Sequence, residues 1–493
     1  MKDNNYYVPH LEWEAINFPI TISQIKFERL HYGFKEDTII TIWRNNDYQL
    51  QGKVSGYTDT PISLDNDIFV GKGNIIQGDT ITGVEVNGNG IKLSDCILTG
   101  HHTDSWHVKD NRYFFEAQLI LSNIKINFTD VTESKRFKRY DWFLCSDINA
   151  DFDKTTFRNL QLHGKKFRAG LDEYDDSIEN YTGGSLSRDY IEVGITGVSC
   201  IIAEVPEYFT PDGIKGICFE FRSSLPEIPH YKTLNCINNL VSFLLGNRLT
   251  YIGSSILAGN EIKEVILHSV SNKVNVKGNR NSMPPIKFNR QYDWGNFAWL
   301  MNNLLPVYLK LEGILSLNQV LSRYWIAKSI PVGSNLPVLA NAIEILAAKY
   351  LKHTGKFKME NIPQNEYLNL IKEELETLTN KLAPLNGGNA MINKIKGANQ
   401  KVPSEKITLF FSLLGIEVGK AEKAAINLRN KMAHSSRNYS DDDTAYDDLI
   451  LTRVYEVLFN RVLLKLLGYD DYYIDYSVVN CPLKHITKRA GEE

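Results

Sequence analysis

The chain lacks paired cysteines, a long apolar run, an excess of charge of one sign and any internal repeat. Its six cysteines, Cys96, Cys145, Cys200, Cys218, Cys236 and Cys481, include no C-x-x-C pair and no regular spacing. That argues against a zinc module and a disulfide framework, and it suits a reducing cytosol. No run of about 18 uninterrupted apolar residues, the length a spanning helix needs, exists. The most apolar stretch, 449–467, is interrupted by Arg453, Glu456, Arg461 and Lys465. The opening MKDNNYYVPH has neither the basic start nor the apolar core of a signal peptide. The expectation is a soluble cytoplasmic protein with no membrane partner. A net charge of −3 gives no global pull toward nucleic acid, so any RNA contact must come from local basic patches.

What is present is the composition of an ordinary globular protein, 43% hydrophobic and 23% charged over 493 residues. That length is enough for two or three domains, each with its own core. Up to about residue 225 the chain reads as strands: TIITIW, YQLQGKVSGY, GVEVNGNGIKL, YFFEAQLILSNIKINF, YIEVGITGVSCIIAEV and IKGICFEF. They are short, β-branched and aromatic-rich, with Asn, Gly and Asp between them. Asn-Gly at 87–88 and 89–90 is a hairpin signal. A mixed connector follows over 226–290, with a helix at 230–245 and a strand at 264–269. It ends in a loop-like stretch carrying Lys273, Lys277, Arg280, Lys287 and Arg290, which reads as a solvated linker or an RNA-backbone contact. From 291 helical periodicity dominates, with helices expected at 294–311, 317–328, 337–353, 364–382, 404–414, 418–432 and 444–467. The expected fold is α+β multidomain: a β-rich sandwich-like or barrel-like domain over 1–225, then an all-α bundle over 291–475 and a tail at 476–493.

The most informative segment is Arg429-Asn430-Lys431-Met432-Ala433-His434. Val418, Ala421, Ala425, Leu428 and Met432 recur at steps of three and four, one apolar stripe of an amphipathic helix. Ser440 before Asp441, Asp442 and Asp443 reads as the cap and acidic first turn of the next helix, and Gly468 ends that helix. His434 is therefore expected at a helix C-terminus, where the dipole favours a protonated imidazole. The chain holds a second Arg-Asn-x3-His pattern, Arg158 to His163, in strand-like sequence. There the five-residue offset would send the two side chains to opposite faces, so it is read as a decoy.

LRNKMAHSS, closing a helix of an all-α region before a polar turn and a long last helix, resembles the HEPN superfamily motif of an Arg, a polar residue and a His. The layout, with a large strand-rich region ahead of it, is similar to that of the ApeA-type HEPN proteins of bacterial antiphage defence. NAIEILAAKYLKH, with Glu344 on an otherwise apolar helix, resembles an early helix of these domains. The resemblance implies a metal-independent endoribonuclease with no cofactor, working as a homodimer on RNA, with tRNA among the candidate substrates. It also implies a defence role, with a phage-derived trigger acting at the β-rich domain. The alternative is a non-catalytic dimerisation module or antitoxin.

Metal-free RNA cleavage turns the ribose 2′-OH on the adjacent phosphorus, and it needs a base, an acid and a cation for the phosphorane. His434 suits the proton transfers, Arg429 the phosphate, and Asn430, four residues before His434, the orientation of either. One His is short for two transfers, which the implied dimer would remedy. Outside this segment, His101, His102, Asp104 and His107 read as an exposed loop rather than a metal site. Glu344 reads as a partner for an Arg or His, or as a group supporting catalysis. LNGGNAM over 385–391 lacks the Lys-Ser/Thr of a phosphate loop. Tyr6, Tyr7, Trp13, Trp43 and Trp106 read as core.

Overall fold

The computed structural model describes residues 19–28, 37–45, 47–59, 78–109, 112–129, 137–148, 152, 154–155, 188–195, 198–205, 215–223, 231–258, 261–270, 283–289, 291–331, 334–356, 360–400, 403–434 and 442–491. At some of these, 100–109 and 430–434 among them, only the backbone is described. The chain divides into two compact units. One holds 1–234, 241–284 and 288–302; the other holds 235–240, 285–287 and 303–493.

The first unit is β-rich. Strands β1 (Ile20–Phe27), β2 (Ile39–Arg44), β3 (Leu50–Thr58), β4 (Asp79–Glu85), β5 (Gly90–Lys109) and β6 (Arg112–Ile120) run β4-β1-β2-β3-β6-β5, and β4 pairs with β5 to close a six-strand barrel. Period-two alternation builds it. Ile20, Ile22, Ile40, Ile42, Leu50, Val54, Ile81, Ile91, Leu93, Phe115, Ala117 and Leu119 pack in one buried cluster, so side chains fill the interior. In β3 the buried positions alternate, and two of them are glycines. A Cβ on Gly56 would lie 2.5 Å from Thr38 Oγ1 and 2.9 Å from Thr38 Cα, so the strands approach here only because nothing projects between them. The β4–β5 hairpin turns at Asn87-Gly88, where Glu85 N–H bonds Asn89 O at 2.9 Å and Gly88 N–H bonds Glu85 O at 2.8 Å.

β5 is the seam to the rest of the sheet. Its first residues pair with β4 on one side and with β7 (Asn123–Asn127) on the other, while its later residues pair with β6. His101, His102, Asp104 and His107 lie in this later part, so the loop expected there is strand; their side chains lie outside the described set. Beyond β7 the order continues through β14 (Glu261–His268), β13 (Thr250–Ala258), β8 (Phe137–Cys145), β12 (Lys215–Ser223), β11 (Val198–Val205), β10 (Arg188–Ile195) and β9 (Lys154–Thr155). Central strand β8 is buried on both faces from Tyr140 to Cys145. Asp141 there is held by Arg139 through contacts of 2.7–3.0 Å; burial pushes its carboxyl pKa up and the guanidinium opposes that rise. Arg158 to His163, Tyr6, Tyr7, Trp13 and the residues 271–282 lie outside the described residues.

Helix α1 (Tyr231–Leu245) lies between β12 and β13 in the chain. The second unit is helical: α2 (Phe297–Leu315), α3 (Leu317–Ser329), α4 (Asn335–Thr354), α5 (Gln364–Leu370), α6 (Lys372–Leu382), α7 (Gly388–Gly397), α8 (Pro403–Leu413), α9 (Lys420–His434) and α10 (Asp442–Leu466). Part of α2 falls in the first unit. α4 buries Leu336, Leu339, Ala340, Ala342, Ile343, Leu346, Ala347 and Leu351, an apolar face wide enough to serve several neighbours. It packs on α3, α8, α9 and α10. Tyr324 of α3 stacks on Phe459 of α10 at 4.8 Å, and α9 packs on α10, so these four helices share one core.

The single helix expected over 364–382 breaks at Ile371 into α5 and α6, neither of which buries a residue fully. The glycine pair of LNGGNAM makes the turn into α7. Gly387 has φ 83°, and a Cβ on Gly388 would fall 1.7 Å from Leu382 O, so the turn requires both glycines. The stretch expected to be a tail is folded as well. β15 (Tyr472–Ile474) pairs with β16 (Leu483–His485), and Ile486 and Ala490 are buried.

Candidate functional site

Helix α9 carries the Arg-Asn-x3-His segment, and its first turn explains its start. Glu422 accepts a hydrogen bond from Gly419 N–H at 2.8 Å, the returning half of a capping box, and puts a carboxylate at the positive end of the helix. The same carboxylate forms an ion pair with Arg461 of α10, both side chains being 0% exposed, and accepts Ala490 N–H at 3.3 Å. Arg461 also donates to Ile486 O at 3.2 and 3.1 Å, and its guanidinium lies over the Tyr473 ring at 5.6 Å. A buried charge pair is tolerable only when its remaining donors and acceptors are satisfied, and here the residues around β16 supply those partners.

Two turns further on, Arg429 forms an ion pair with Glu344 of α4, the side chains being 24% and 27% exposed. Glu344 is thus the partner of an arginine, and that arginine belongs to the motif. Tyr455 of α10 is buried beside them. Burial pushes its phenol pKa well above the usual range, and the Arg429 charge opposes that shift. Three helices thus converge on the Arg429 guanidinium.

Asn430 and His434 lie on α9, with His434 its last residue; their side chains are outside the described set. An α-helix separates residues five apart by roughly 7.5 Å along its axis and roughly 140° around it. Arg429 and His434 therefore do not share a face of the helix, whereas Asn430 and His434, four apart, do. The helix therefore places positions 429 and 434 on different faces.

Nothing in the sequence sets Tyr455 apart. It stands in an apolar run where an aromatic residue signals core, and core is most of what it is. The Glu422–Arg461 pair was equally invisible, since one partner reads as an exposed helix charge and the other only as an interruption of an apolar stretch. No family model, no curated protein and no solved structure matches the chain.

Proposed function

We propose that the chain is a metal-independent endoribonuclease of the HEPN type, acting as a homodimer in antiviral defence. The observation that supports this most is the placing of Arg429, Asn430 and His434 on the last turns of α9, with Arg429 braced by Glu344 from a second helix of one core. Arg429 stabilises the phosphorane charge, His434 moves protons between the 2′-OH, the leaving 5′ oxygen and solvent, and Asn430 orients the imidazole or the phosphate. Two transfers and one imidazole per motif call for a second copy of α9 in the working cleft. The 140° offset between Arg429 and His434 supports the same need, because each copy offers only part of the site to any one phosphate. The β-rich unit is then the part that senses a trigger and raises the rate of a basal cleavage expected of the full chain.

The test is incubation of the purified full chain with total RNA in EDTA. Cleavage with 2′,3′-cyclic phosphate ends is expected, and DNA should survive because it lacks the 2′-OH. Intact RNA, or cleavage only after a divalent ion is restored, would sink the reading.

The Glu344–Arg429 pair also favours a second reading, in which the arginine is structural and the bundle is a dimerisation module or antitoxin. Glu344→Gln separates the two. If Glu344 braces a catalytic cation, loss of its charge lets the guanidinium wander and kcat on an RNA substrate falls about 10- to 100-fold. Unchanged cleavage kinetics with a lowered melting temperature would assign the pair to stability alone.

A further inference from the structure

Residues 360–400, which hold α5, α6 and α7, leave the helical core and rejoin it through one neck. Glu360 and Gln400 form an antiparallel bridge there. Beside it the side chain of Asn399, 3% exposed, accepts Ile362 N–H at 3.0 Å. The same amide donates to Ile362 O at 2.7 Å and to Gln364 Oε1 at 3.1 Å. Beyond this clasp α6 and α7 pack on each other, and among the described helices no other packs along α6. Of the described apolar side chains in 360–400, Ile392 alone is fully buried. So small a buried core gives α6 little support of its own.

One row of α6 carries a two-fold pattern. Leu370, just before the helix, and Leu385, just after it, are 65% and 59% exposed. Between them Glu374 and Lys381 are exposed as well, and neither forms an ion pair among the described residues. Positions 370, 374, 377, 381 and 385 follow at steps of four and three, so they lie near one line along the helix. Read from either end the line is apolar, charged, Thr377, charged, apolar, with the sign of the charge exchanged. Laid antiparallel on a copy of itself, about an axis beside Thr377 and Leu378, it sets each Leu370 against a Leu385. Each Glu374 then meets a Lys381. Such mutual pairing is what a two-fold contact requires. The two charges of the row cancel, which gives a phosphate backbone no purchase.

We propose that α6 is the face on which a second copy of this chain docks, helix against helix and antiparallel, with Glu374 paired to Lys381 across the axis. The proposal names the surface that supplies the second copy the ribonuclease reading calls for. It rests on that reading for its purpose but not for its test. The neck follows α4, which ends at Thr354, ten residues past Glu344 (354 − 344) and about 15 Å further along the axis. Changes on α6 therefore reach the candidate site only through the dimer. A contact between two helices is small for a protein interface, so the association is reversible and depends on concentration.

The experiment is sedimentation velocity of the full chain over a concentration series, with circular dichroism to check that each variant is folded. The parent should dimerise reversibly; a parent that stays monomeric at the highest concentration overturns the proposal. Glu374→Lys and Lys381→Glu each bring like charges together twice, and each should raise the dimer dissociation constant about 10-fold or more. Both changes in one chain, or a mixture of the two single variants, restore opposite charges and should return the constant to near the parent value. Single variants that dimerise like the parent, or a double variant as weak as the singles, overturn the proposal. Leu385→Glu, in the apolar pair, should weaken the dimer likewise and decides the matter if a reversal fails to fold. RNA cleavage in EDTA is read on the same samples, where the single variants should lose activity at low concentration and regain it as concentration rises. Dimerisation that follows the charges in a protein that never cuts RNA keeps the α6 contact and removes the ribonuclease reading. RNA cut by a parent whose single variants dimerise unchanged keeps that reading and removes the contact.

Discussion

His434→Ala is expected to remove RNA cleavage in EDTA, lowering kcat by about 10²- to 10⁴-fold while the melting temperature and oligomeric state stay as in the parent. The size follows from the chemistry. A 2′-hydroxyl is a poor nucleophile and a 5′-alkoxide a poor leaving group, and neither proton moves readily at neutral pH without a group that titrates there. Imidazole is the ordinary side chain that does so. Arg429→Ala is expected to cost about as much by a different route, because on the proposed mechanism it would remove charge stabilisation from the phosphorane, and it leaves Glu344 without this partner. Arg429→Lys keeps the charge and loses the fork, so it should rescue little. Gel analysis of single-turnover cleavage checks all three, and a His434→Ala protein that cleaves at the parent rate would end the proposal.

Arg461→Met, or Glu422→Ala, is expected to give the largest loss of stability of any single substitution in the helical unit. Each leaves one fully buried charge without its counter-charge, and breaking such a pair costs about 3–5 kcal/mol. Arg461→Met strands the Glu422 carboxylate and also frees Ile486 O of its donors. Glu422→Ala strands the guanidinium and removes the return bond to Gly419. The double replacement Glu422→Leu with Arg461→Met should recover most of the loss, since apolar residues of similar volume at such a site are often neutral. Denaturant unfolding of the full chain, followed by tryptophan fluorescence, would show it. A double variant no more stable than the singles would mean that the surrounding backbone partners matter more than the charges.

Much of the architecture was legible because it rests on local patterns. Period-two alternation marks β3 and β6, and the steps of three and four mark α4 and α9. What escaped was non-local or locally disguised. Barrel closure through β4 and β5 depends on strand pairing that alternation alone leaves open between barrel and sandwich. The polar run from His101 to His107 conceals the second half of a strand of 20 residues, because its partners in β6 decide its conformation. TYIGSSILA, with glycine and serines at its centre, lacks a strand's alternation, yet it is central strand β13. The glycine pair hid α7 by looking like a loop when it is only the turn.

The site was legible to a similar depth. Motif and helix could be read together since they occupy one stretch of sequence. Glu344 stood out as a lone acid on an apolar face, but its partner is 85 residues further along the chain, from 344 to 429. Buried pairs between distant segments leave no trace in composition or spacing.

The contacts of Glu422 and Arg461 with Ile486 and Ala490 also set an order of events during synthesis. The ribosome delivers α9, with its arginine and histidine, before the residues that complete the first turn of that helix. Until 486–490 have left the exit tunnel, the acid and base lack the partners that Ile486 and Ala490 supply, and the helix lacks its anchor. A nascent chain at that stage, surrounded by RNA, therefore carries the motif on an unfinished support.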